Sequence, residues 1–335
     1  MSVRFRVRRK WFSQGAAAWN RAQQVLGVPK GALRSDHYVC PLCFTIDYET
    51  GQGQFKAFNE DALRAGALTV EHVPPESFGG RPLVLTCKEC NNLAGTELDA
   101  HARRKENPRD AFLGRVVTRV NLKAGAHRLA ATFTQKDGKY NVDSSKTKRN
   151  AHRPDAAVGI QKILSRPEGS HRDITLSFDY DRFDADRARV SWLRTAYLAL
   201  FAVTGYRLIL GPEMEVVRRQ ILEPKVSHIP TFLIDTRTDD DWTDRTFIRV
   251  TTPEWARSWG IKVGHYVVSL PLPGDILLYE RIAAKRAEGM EAVVGNANAW
   301  EWPRRPSFGL APFDAVSQLE SGESAPDAGP VSRVE

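Results

Sequence analysis

The four cysteines of the chain form two identical Cys-x-x-Cys pairs. Cys40 and Cys43 make the first pair, Cys87 and Cys90 make the second, and 43 residues separate them. Two such pairs can present four thiolates to one zinc ion in a closed tetrahedral site, which leaves no open position for chemistry. Two disulfides or four unrelated buried thiols are the alternatives, and the lack of a secretion signal weighs against disulfides. The spacing therefore favours a structural zinc site.

A short strand between the two cysteine pairs ends in a carboxylate and an imidazole. The apolar run 67–70 predicts this strand, and Glu71 and His72 follow it directly. Pro74-Pro75 then stops the strand, because proline donates no backbone hydrogen bond. Adjacent residues at a strand end point in different directions, so the two side chains can face different targets.

The chain then returns through a turn, a second strand and a helix. Gly79-Gly80 predicts the turn, and 83–85 predicts the returning strand. Asn91 follows the second cysteine pair directly and can cap a helix predicted over 93–105. These elements would bring the second cysteine pair, the amide of Asn91 and the end of the first strand into one small unit.

This order of residues resembles the HNH endonucleases of the ββα-metal superfamily. The resemblance rests on Glu-His-x-x-Pro, a Gly-Gly loop and Cys-x-x-Cys-Asn opening a helix, and it covers residues 38–105. It implies that Glu71 and Asn91 bind a divalent ion and that His72 is the general base. Histidine suits that role because its unperturbed pKa lies near neutrality. Oxygen ligands with several open positions suit Mg²⁺ or Mn²⁺.

The sequence departs from the family pattern in two places. The acid before the histidine is commonly Asp, whereas Glu71 is one methylene longer. Pro82 stands where many members carry a loop-bracing Asn, which weakens the inference about loop rigidity more than the inference about chemistry. A degenerate finger that does not cut is therefore the alternative explanation of Glu71 and His72.

Positive charge is concentrated in one part of the chain. Residues 101–153 hold 14 Lys and Arg against four Asp and Glu, whereas the whole chain has a net charge of +8. Clustered cations suit a polyanion, because each neutralised phosphate releases condensed counterions. A solvated surface that keeps the protein in solution is the alternative. The candidate nucleic-acid contacts are Arg103, Arg104, Lys105, Lys146, Lys148 and Arg149.

The N-terminal segment is basic as well. Val3, Phe5 and Val7 alternate with arginines, and a period of two is typical of a strand. We expect a basic arm or edge strand here, followed by a helix that begins near Ser13. An Arg-rich organellar leader is a minor alternative, and no apolar core of a secretory signal is present.

The remaining pattern predicts an α+β protein with a zinc-stapled ββα-metal (HNH) finger followed by a larger mixed α+β domain. We expect a basic arm and short helix at 1–35, the finger at 36–108, the α+β domain at 109–318 and a disordered tail at 319–335. Nucleic-acid recognition is one candidate role for the larger domain. The apolar run 192–206 contains Arg194 and is too short to span a bilayer, so it predicts a buried helix.

These features predict an endonuclease that hydrolyses phosphodiester bonds in DNA by a one-metal mechanism. Structural zinc and a catalytic Mg²⁺ or Mn²⁺ ion are the expected cofactors, and the cytoplasm is the expected location. The alternative is a non-catalytic zinc-ribbon module that binds nucleic acid without cutting it. The sequence does not exclude RNA, indicates no membrane partner and leaves the oligomeric state open.

Overall fold

The computed structural model describes most of the chain in separate stretches. These are residues 3–26, 36–46, 53–144, 154–165, 174–178, 183–230, 232–235, 245–264, 266–290, 299–302 and 304–308. The chain forms two compact units, one from residues 1–95 together with 189–335 and the other from residues 96–188. The first unit is therefore built from two stretches of chain that flank the second. Helices and small antiparallel sheets occur in both, which confirms the predicted α+β class.

The first unit contains three small antiparallel sheets and several helices. Its strands are β1 (Tyr38–Ile46), β2 (Gly53–Phe58), β3 (Leu68–Val73), β4 (Arg81–Cys87), β9 (Leu233–Asp235), β10 (Arg245–Val250), β11 (Ser258–Val263), β12 (Tyr266–Leu270) and β13 (Ala299–Glu301). Its helices are α1 (Val3–Leu26), α2 (Glu60–Arg64), α3 (Lys88–Ala94), most of α6 (Ala185–Thr204), α7 (Tyr206–Ile209), α8 (Glu215–Leu222) and α9 (Leu278–Ala287). Strand β1 pairs with β2, β3 pairs with β4, and the third sheet has the order β13-β10-β11-β12-β9.

The second unit is a four-stranded antiparallel sheet with helices on one face. Its elements are α4 (Ala100–Phe112), β5 (Thr118–Ala124), β6 (His127–Lys136), β7 (Lys139–Asp143), α5 (Pro154–Leu164) and β8 (Ile174–Phe178), with the strand order β7-β6-β5-β8. Alternate residues of β5 and β6 are buried, as expected for a sheet that is covered on one side. Asp137 and Gly138 both have positive φ, and the hairpin turn predicted there joins β6 to β7.

Helix α1 packs one side against the core of the first unit. Trp11, Phe12, Ala16, Trp19 and Ala22 are all buried, and their spacing matches one face of a helix. The Trp19 ring lies 5.0 Å from the ring of a buried tyrosine in α7, in an edge-on arrangement. This buried face determines the conformation of the N-terminal segment.

The basic arm or edge strand expected at the N terminus is wrong, because the chain is already helical from Val3 onward. The Arg8 guanidinium donates a hydrogen bond to the carbonyl of Leu68 at 2.6 Å. Arg9 forms an ion pair with Glu60 at 3.1 Å. The alternation of apolar residues with arginines involves only the first few residues. The aromatic residues that follow are buried as one face of a helix, and this helix includes the N-terminal residues as well. Part of the N-terminal charge is therefore used within the fold.

Helix α6 is buried along most of its length. Nearly all of its side chains from Trp192 to Ala202 are inaccessible to solvent, in agreement with the buried helix predicted over 192–206. Gly205 ends the helix with a φ of 60°, a conformation that glycine adopts without strain. Among the described residues, no helix combines the length and apolar character needed to cross a bilayer.

The predicted boundaries 1–35, 36–108, 109–318 and 319–335 divide the chain consecutively, whereas the compact units do not. The helical run predicted over 93–105 is longer in the structure, since it begins at Lys88, between the two cysteines of the second pair, and continues to Phe112. Residues 319–335 lie outside the described residues.

Candidate active site and metal centre

The four cysteine sulfurs lie close together, as the two Cys-x-x-Cys pairs predict. Their Sγ atoms all lie within 4.8 Å of one another, and those of Cys43 and Cys87 are 3.7 Å apart. A tetrahedral zinc ion with Zn–S bonds of about 2.3 Å places its sulfurs about 3.8 Å apart. All four cysteines are free rather than disulfide-bonded. The cluster is therefore positioned to bind one metal ion, and its all-sulfur donor set fits zinc.

Local irregularities of the backbone bring the sulfurs together. The pairing of β1 with β2 shifts register between Val39 and Phe44, and the Cys40–Cys43 segment occupies this irregularity. Cys87 ends β4 and immediately precedes α3, so the second pair spans a strand-to-helix junction. The backbone N–H of Cys87 donates a hydrogen bond to the Sγ of Cys40 at 3.4 Å. The two knuckles are thus joined directly by a backbone-to-sulfur contact.

Hydrogen bonding within the cluster changes the acidity of its thiols. Hydrogen bonds from Cys40, Cys43 and Cys90 lower the pKa of the Cys87 thiol well below its ordinary value, whereas hydrogen bonds within the same cluster raise the pKa of the Cys43 and Cys90 thiols. A lowered pKa favours the thiolate, which is the form that binds metal ions.

Tyrosines of the C-terminal part of the first unit hold the first knuckle in place. The Tyr197 hydroxyl of α6 donates to the carbonyl of Pro41 at 2.8 Å, and the Tyr206 hydroxyl donates to the carbonyl of Val39. Tyr38 itself donates to the carbonyl of Leu85 in β4 at 2.6 Å. All three phenols are buried, so these bonds form out of contact with water. The cysteine cluster is therefore supported by residues from both ends of the chain.

Glu71 is buried and forms an ion pair with an arginine of α6. Its side chain is 4% exposed, and its Oε2 contacts the guanidinium of Arg194, whose side chain is 1% exposed. The Thr86 hydroxyl donates a hydrogen bond to the same oxygen at 3.3 Å. Burial of a charged group costs free energy unless an opposite charge lies beside it. Here the carboxylate and the guanidinium each offset the cost of burying the other. Glu71 therefore already has a cationic partner within the fold.

Asn91 lies on the same face of the β3–β4 hairpin as Glu71. Its Nδ2 donates to the Thr69 hydroxyl at 3.0 Å, and that hydroxyl donates to the carbonyl of Thr86 at 3.4 Å. Thr69 and Thr86 are cross-strand partners in the hairpin register. Through these threonines the amide and the carboxylate are joined in one hydrogen-bonded group. The amide oxygen of Asn91 has no hydrogen-bond partner within the described part of the chain.

Asn91 is not the residue that caps the helix, contrary to expectation. Helix α3 begins at Lys88, and the Sγ of Cys87 accepts a hydrogen bond from the Cys90 backbone N–H at 3.5 Å. Asn91 sits inside the first turn of this helix. The cysteine pair starts the helix because its knuckle geometry already turns the chain, so the amide side chain is left available for another role.

His72 lies beside Glu71 at an irregularity of the hairpin. The pairing of β3 with β4 shifts register between these two residues, so that Glu71 faces Val84 and His72 faces Pro82. Glu71 is buried, whereas His72 is partly accessible to solvent. Among the described residues, none forms a hydrogen bond or an ion pair with the imidazole. The histidine is therefore in a position to accept a proton from a bound molecule.

The loop between the two strands is closely packed. Gly79 has a φ of 66°, and a Cβ on Gly80 would lie 1.5 Å from the carbonyl oxygen of Pro74. Both glycines are therefore required by the backbone, as the Gly-Gly turn predicts. Phe78 is buried, and its ring centroid lies 4.7 Å from that of Trp192 in α6. Helix α6 thus supports this loop as well as Glu71.

Three of the six basic residues predicted to contact nucleic acid belong to the described part of the chain. Arg103 forms an ion pair with Asp110 at 3.0 Å, while Arg104 is exposed and Lys105 is half-buried. Lys146, Lys148 and Arg149 lie outside the described residues. Their proposed contact with nucleic acid stays a prediction.

Arg194 is the residue of this site that sequence reasoning did not identify. It stands 123 positions after Glu71, and no local pattern relates the two residues. One signal was present, since Arg194 is the single charge within the apolar run 192–206. A cation inside a buried helix requires a partner, and a buried acid is the natural one.

The fold defines a strand–loop–strand–helix unit with an acid–histidine pair near the end of its first strand and a four-cysteine cluster positioned to bind a metal ion. Residues 61–107 match the family model described as HNH endonuclease. The resemblance inferred from the sequence is confirmed over that segment. Among curated proteins and among solved structures, nothing matches this chain.

A catalytic divalent ion would require oxygen ligands near His72. The carboxylate of Glu71 and the amide oxygen of Asn91 fit a hard cation in chemical type, and they lie in one hydrogen-bonded group. Arg194 already contacts the carboxylate, so a second cation would share Glu71 with a guanidinium. The donor set therefore fits such an ion, with Arg194 as an additional neighbour.

Proposed function

We propose that this protein is an endonuclease that hydrolyses phosphodiester bonds in DNA, with His72 as general base and with Glu71 and Asn91 holding one Mg²⁺ or Mn²⁺ ion. The observation that carries the proposal is the placement of Glu71 and Asn91 in one hydrogen-bonded group, directly beside a partly accessible His72. The match of residues 61–107 to the HNH endonuclease family supports the same reading.

The proposed roles follow from what each side chain can do. The His72 imidazole accepts a proton from the attacking water, which requires a neutral ring near pH 7 and access to substrate. Glu71 and Asn91 contribute two oxygen ligands from the strand end and the helix start. When bound, the divalent cation supplies positive charge to stabilise the negative charge that develops on the phosphate. The four-cysteine centre maintains the positions of these groups and takes no part in the reaction.

A plasmid cleavage assay tests this function. The full chain should nick or linearise supercoiled DNA in the presence of Mg²⁺ or Mn²⁺, and His72→Ala should lower the rate about 10²–10⁴-fold, as expected for loss of a general base. His37→Ala is the matched control, because His37 is a partly buried histidine of the same unit whose ring contacts Asp36 instead. Equal cleavage by His72→Ala and by the parent chain would reject the assignment.

The role of Asn91 is tested in the same assay. Asn91→Ala should raise the concentration of divalent ion needed for half-maximal cleavage, because one oxygen ligand is lost. Asn92→Ala is its neighbour control, since the proposal gives Asn92 no ligand role. If the two variants have the same metal dependence, Asn91 does not hold the ion.

A second candidate function is a zinc-ribbon module that binds nucleic acid without cutting it. The burial of Glu71 against Arg194 favours this alternative, because the carboxylate is already neutralised. In that case the chain should bind DNA, and no divalent ion should produce cleavage above that of His72→Ala. The four free thiols suit a reducing compartment, so either function is compatible with the cytoplasmic location that we propose.

A further inference from the structure

The four-stranded sheet of the second unit has one face that no helix covers among the described residues of that unit. Buried side chains such as Val120, Leu129 and Phe133 lie on the inner face, where Ile160 of α5 packs. The residues that alternate with them form the outer face. The outer face consists of Arg119, Asn121, Lys123, Arg128, Ala130, Thr132, Thr134, Lys136, Lys139, Asn141, Asp143, Thr175 and Ser177.

Cations stand directly opposite each other at two places on the outer face. Lys123 of β5 pairs across the strands with Arg128 of β6, and Lys136 of β6 pairs with Lys139 of β7. Like charges in directly opposed positions destabilise a sheet. The two pairs lie at opposite ends of β6, about 26 Å apart at a rise of about 3.3 Å per residue. A sheet that keeps two unfavourable pairs on one face is suited to an anionic ligand.

The cations of the outer face are not neutralised within the described residues. Neither hydrogen bonds nor ion pairs engage Arg119, Lys123 or Arg128 in that part of the chain, and all three are exposed. Lys136 and Lys139 are likewise exposed, and Asp143 is the one acidic side chain among the residues of this face. Five cations therefore face one carboxylate.

The other side chains of the outer face are of the types that contact a phosphodiester backbone. Between the cations lie exposed hydroxyl and amide groups, which are of the types that donate hydrogen bonds to phosphate oxygens; these include Asn121, Thr175 and Ser177. The aromatic residues Phe112 and Tyr140 contact Phe133 on the inner face instead. The described residues of the outer face thus include neither the aromatic rings on which single-stranded bases stack nor the apolar anchors typical of protein interfaces or membrane insertion.

We propose that the outer face binds the phosphate backbone of duplex DNA, with the Lys123–Arg128 and Lys136–Lys139 pairs as its principal contacts. The proposal rests on the proposed function, because it assigns a substrate-binding surface to the nuclease. Such a surface contacts phosphates rather than bases, so it increases the affinity for DNA of any sequence.

The test measures binding by the full chain without cleavage. Fluorescence anisotropy with a labelled 30-base-pair duplex, chosen for convenience, is followed from low to moderate salt in the His72→Ala background. Lys123→Thr/Arg128→Thr should weaken binding on the order of tenfold and reduce the slope of log K against log salt by about 2, since each phosphate contact contributes about 0.9. Threonine keeps a high strand propensity at both positions.

Lys162→Gln is the matched control, compared with Lys123→Thr alone. Each removes one exposed cation of the same unit, but Lys162 belongs to α5, which packs on the inner face. Lys123→Thr should reduce the salt slope by about 1, whereas Lys162→Gln should leave it within about 0.2. Thermal melting checks folding, and the double variant should melt no lower than the parent because a like-charge pair is removed. If it does melt lower, Lys136→Thr/Lys139→Thr provides the same test at the other end of β6.

The results separate this proposal from the proposed function. Binding that depends on the outer face, without any cleavage by the parent chain, would retain the surface and reject the nuclease. Normal cleavage, with unchanged affinity and salt slope in both double variants, would reject the surface and retain the nuclease. Stronger binding to a single strand of the same length, or to vesicles containing phosphatidylserine, would overturn the assignment to duplex DNA.

Discussion

Replacement of Arg194 with methionine tests whether the buried ion pair organises the candidate site. The substitution removes the guanidinium and leaves an unbranched side chain, so the carboxylate of Glu71 remains buried without its cation. Both side chains are at most 4% exposed. Two opposite charges in contact gain about 4 kcal/mol at an effective dielectric constant of about 20. Removal of one partner from a buried pair accordingly destabilises a protein by about 3–5 kcal/mol.

A double-mutant cycle separates the pair from its members. Glu71→Gln should destabilise the protein by a similar amount, because Arg194 then lacks its anion. The combination Glu71→Gln/Arg194→Met removes both charges and should lose much less than the sum of the single changes. We expect a coupling free energy of at least about 2 kcal/mol from urea unfolding of the zinc-loaded protein. A coupling below about 0.5 kcal/mol would refute the reasoning, because the two charges would then act independently.

The same variants report on the proposed divalent ion. If Mg²⁺ binds at Glu71, it should restore part of the stability lost in Arg194→Met, by up to about 2.7 kcal/mol at a hundred times its dissociation constant. Arg218→Met is the matched control, since Arg218 is equally buried but pairs with Glu215 of its own helix. Because Arg218→Met keeps the proposed site unchanged, Mg²⁺ should stabilise it only as much as it stabilises the parent chain, and less than it stabilises Arg194→Met. An equal response of the two variants would show that loss of the guanidinium at Glu71 does not change binding of the ion.

Three further predictions concern other parts of the protein. Cys87→Ser should reduce bound zinc from about one ion per chain to nearly none, as measured by elemental analysis, and should abolish cooperative unfolding of the first unit. Gly80→Ala should lower the free energy of unfolding by more than about 1 kcal/mol because its Cβ would meet a carbonyl oxygen 1.5 Å away, whereas Gly95→Ala, which has open space, should raise it by about 0.5–1 kcal/mol. The pKa of His101 is lowered, mainly by burial and then by the charges of Arg187 and Arg104. The unfolded chain therefore binds the proton first, so stability should fall as the pH drops below about 6.5, and His101→Gln should reduce that slope in urea titrations; an unchanged slope would contradict this origin.

Local patterns predicted the parts of the site that neighbouring residues determine. The two cysteine pairs, the strand that ends at Glu71 and the Gly-Gly turn each depend on a few adjacent residues, and the spacing of each is visible in the sequence. The close contact between the backbone of Gly80 and the carbonyl of Pro74, for example, involves residues only six positions apart. The match of residues 61–107 to the HNH endonuclease family has the same basis, because the motif is short and contiguous.

Other parts depend on contacts that no local pattern records. The pairing of Glu71 with Arg194 joins residues more than 120 positions apart. The alternation of the N-terminal residues predicts a basic arm or edge strand, because the burial of Trp11 and Trp19 that makes the segment helical becomes evident only when the core is known. Asparagine is a common helix cap, so the sequence offers Asn91 for that role, whereas the thiol of Cys87 provides the cap in the structure.

The discontinuity of the first unit affects how the protein folds during synthesis. Residues 1–95 leave the ribosome well before Arg194, the buried partner of Glu71. At about 5–20 residues per second, the intervening hundred residues take roughly 5–20 s to translate. Until then the finger segment lacks α6, so its buried carboxylate has no counterion and Phe78 has no cover from Trp192. The nascent chain therefore completes its candidate nuclease centre only after the second unit, residues 96–188, has left the ribosome.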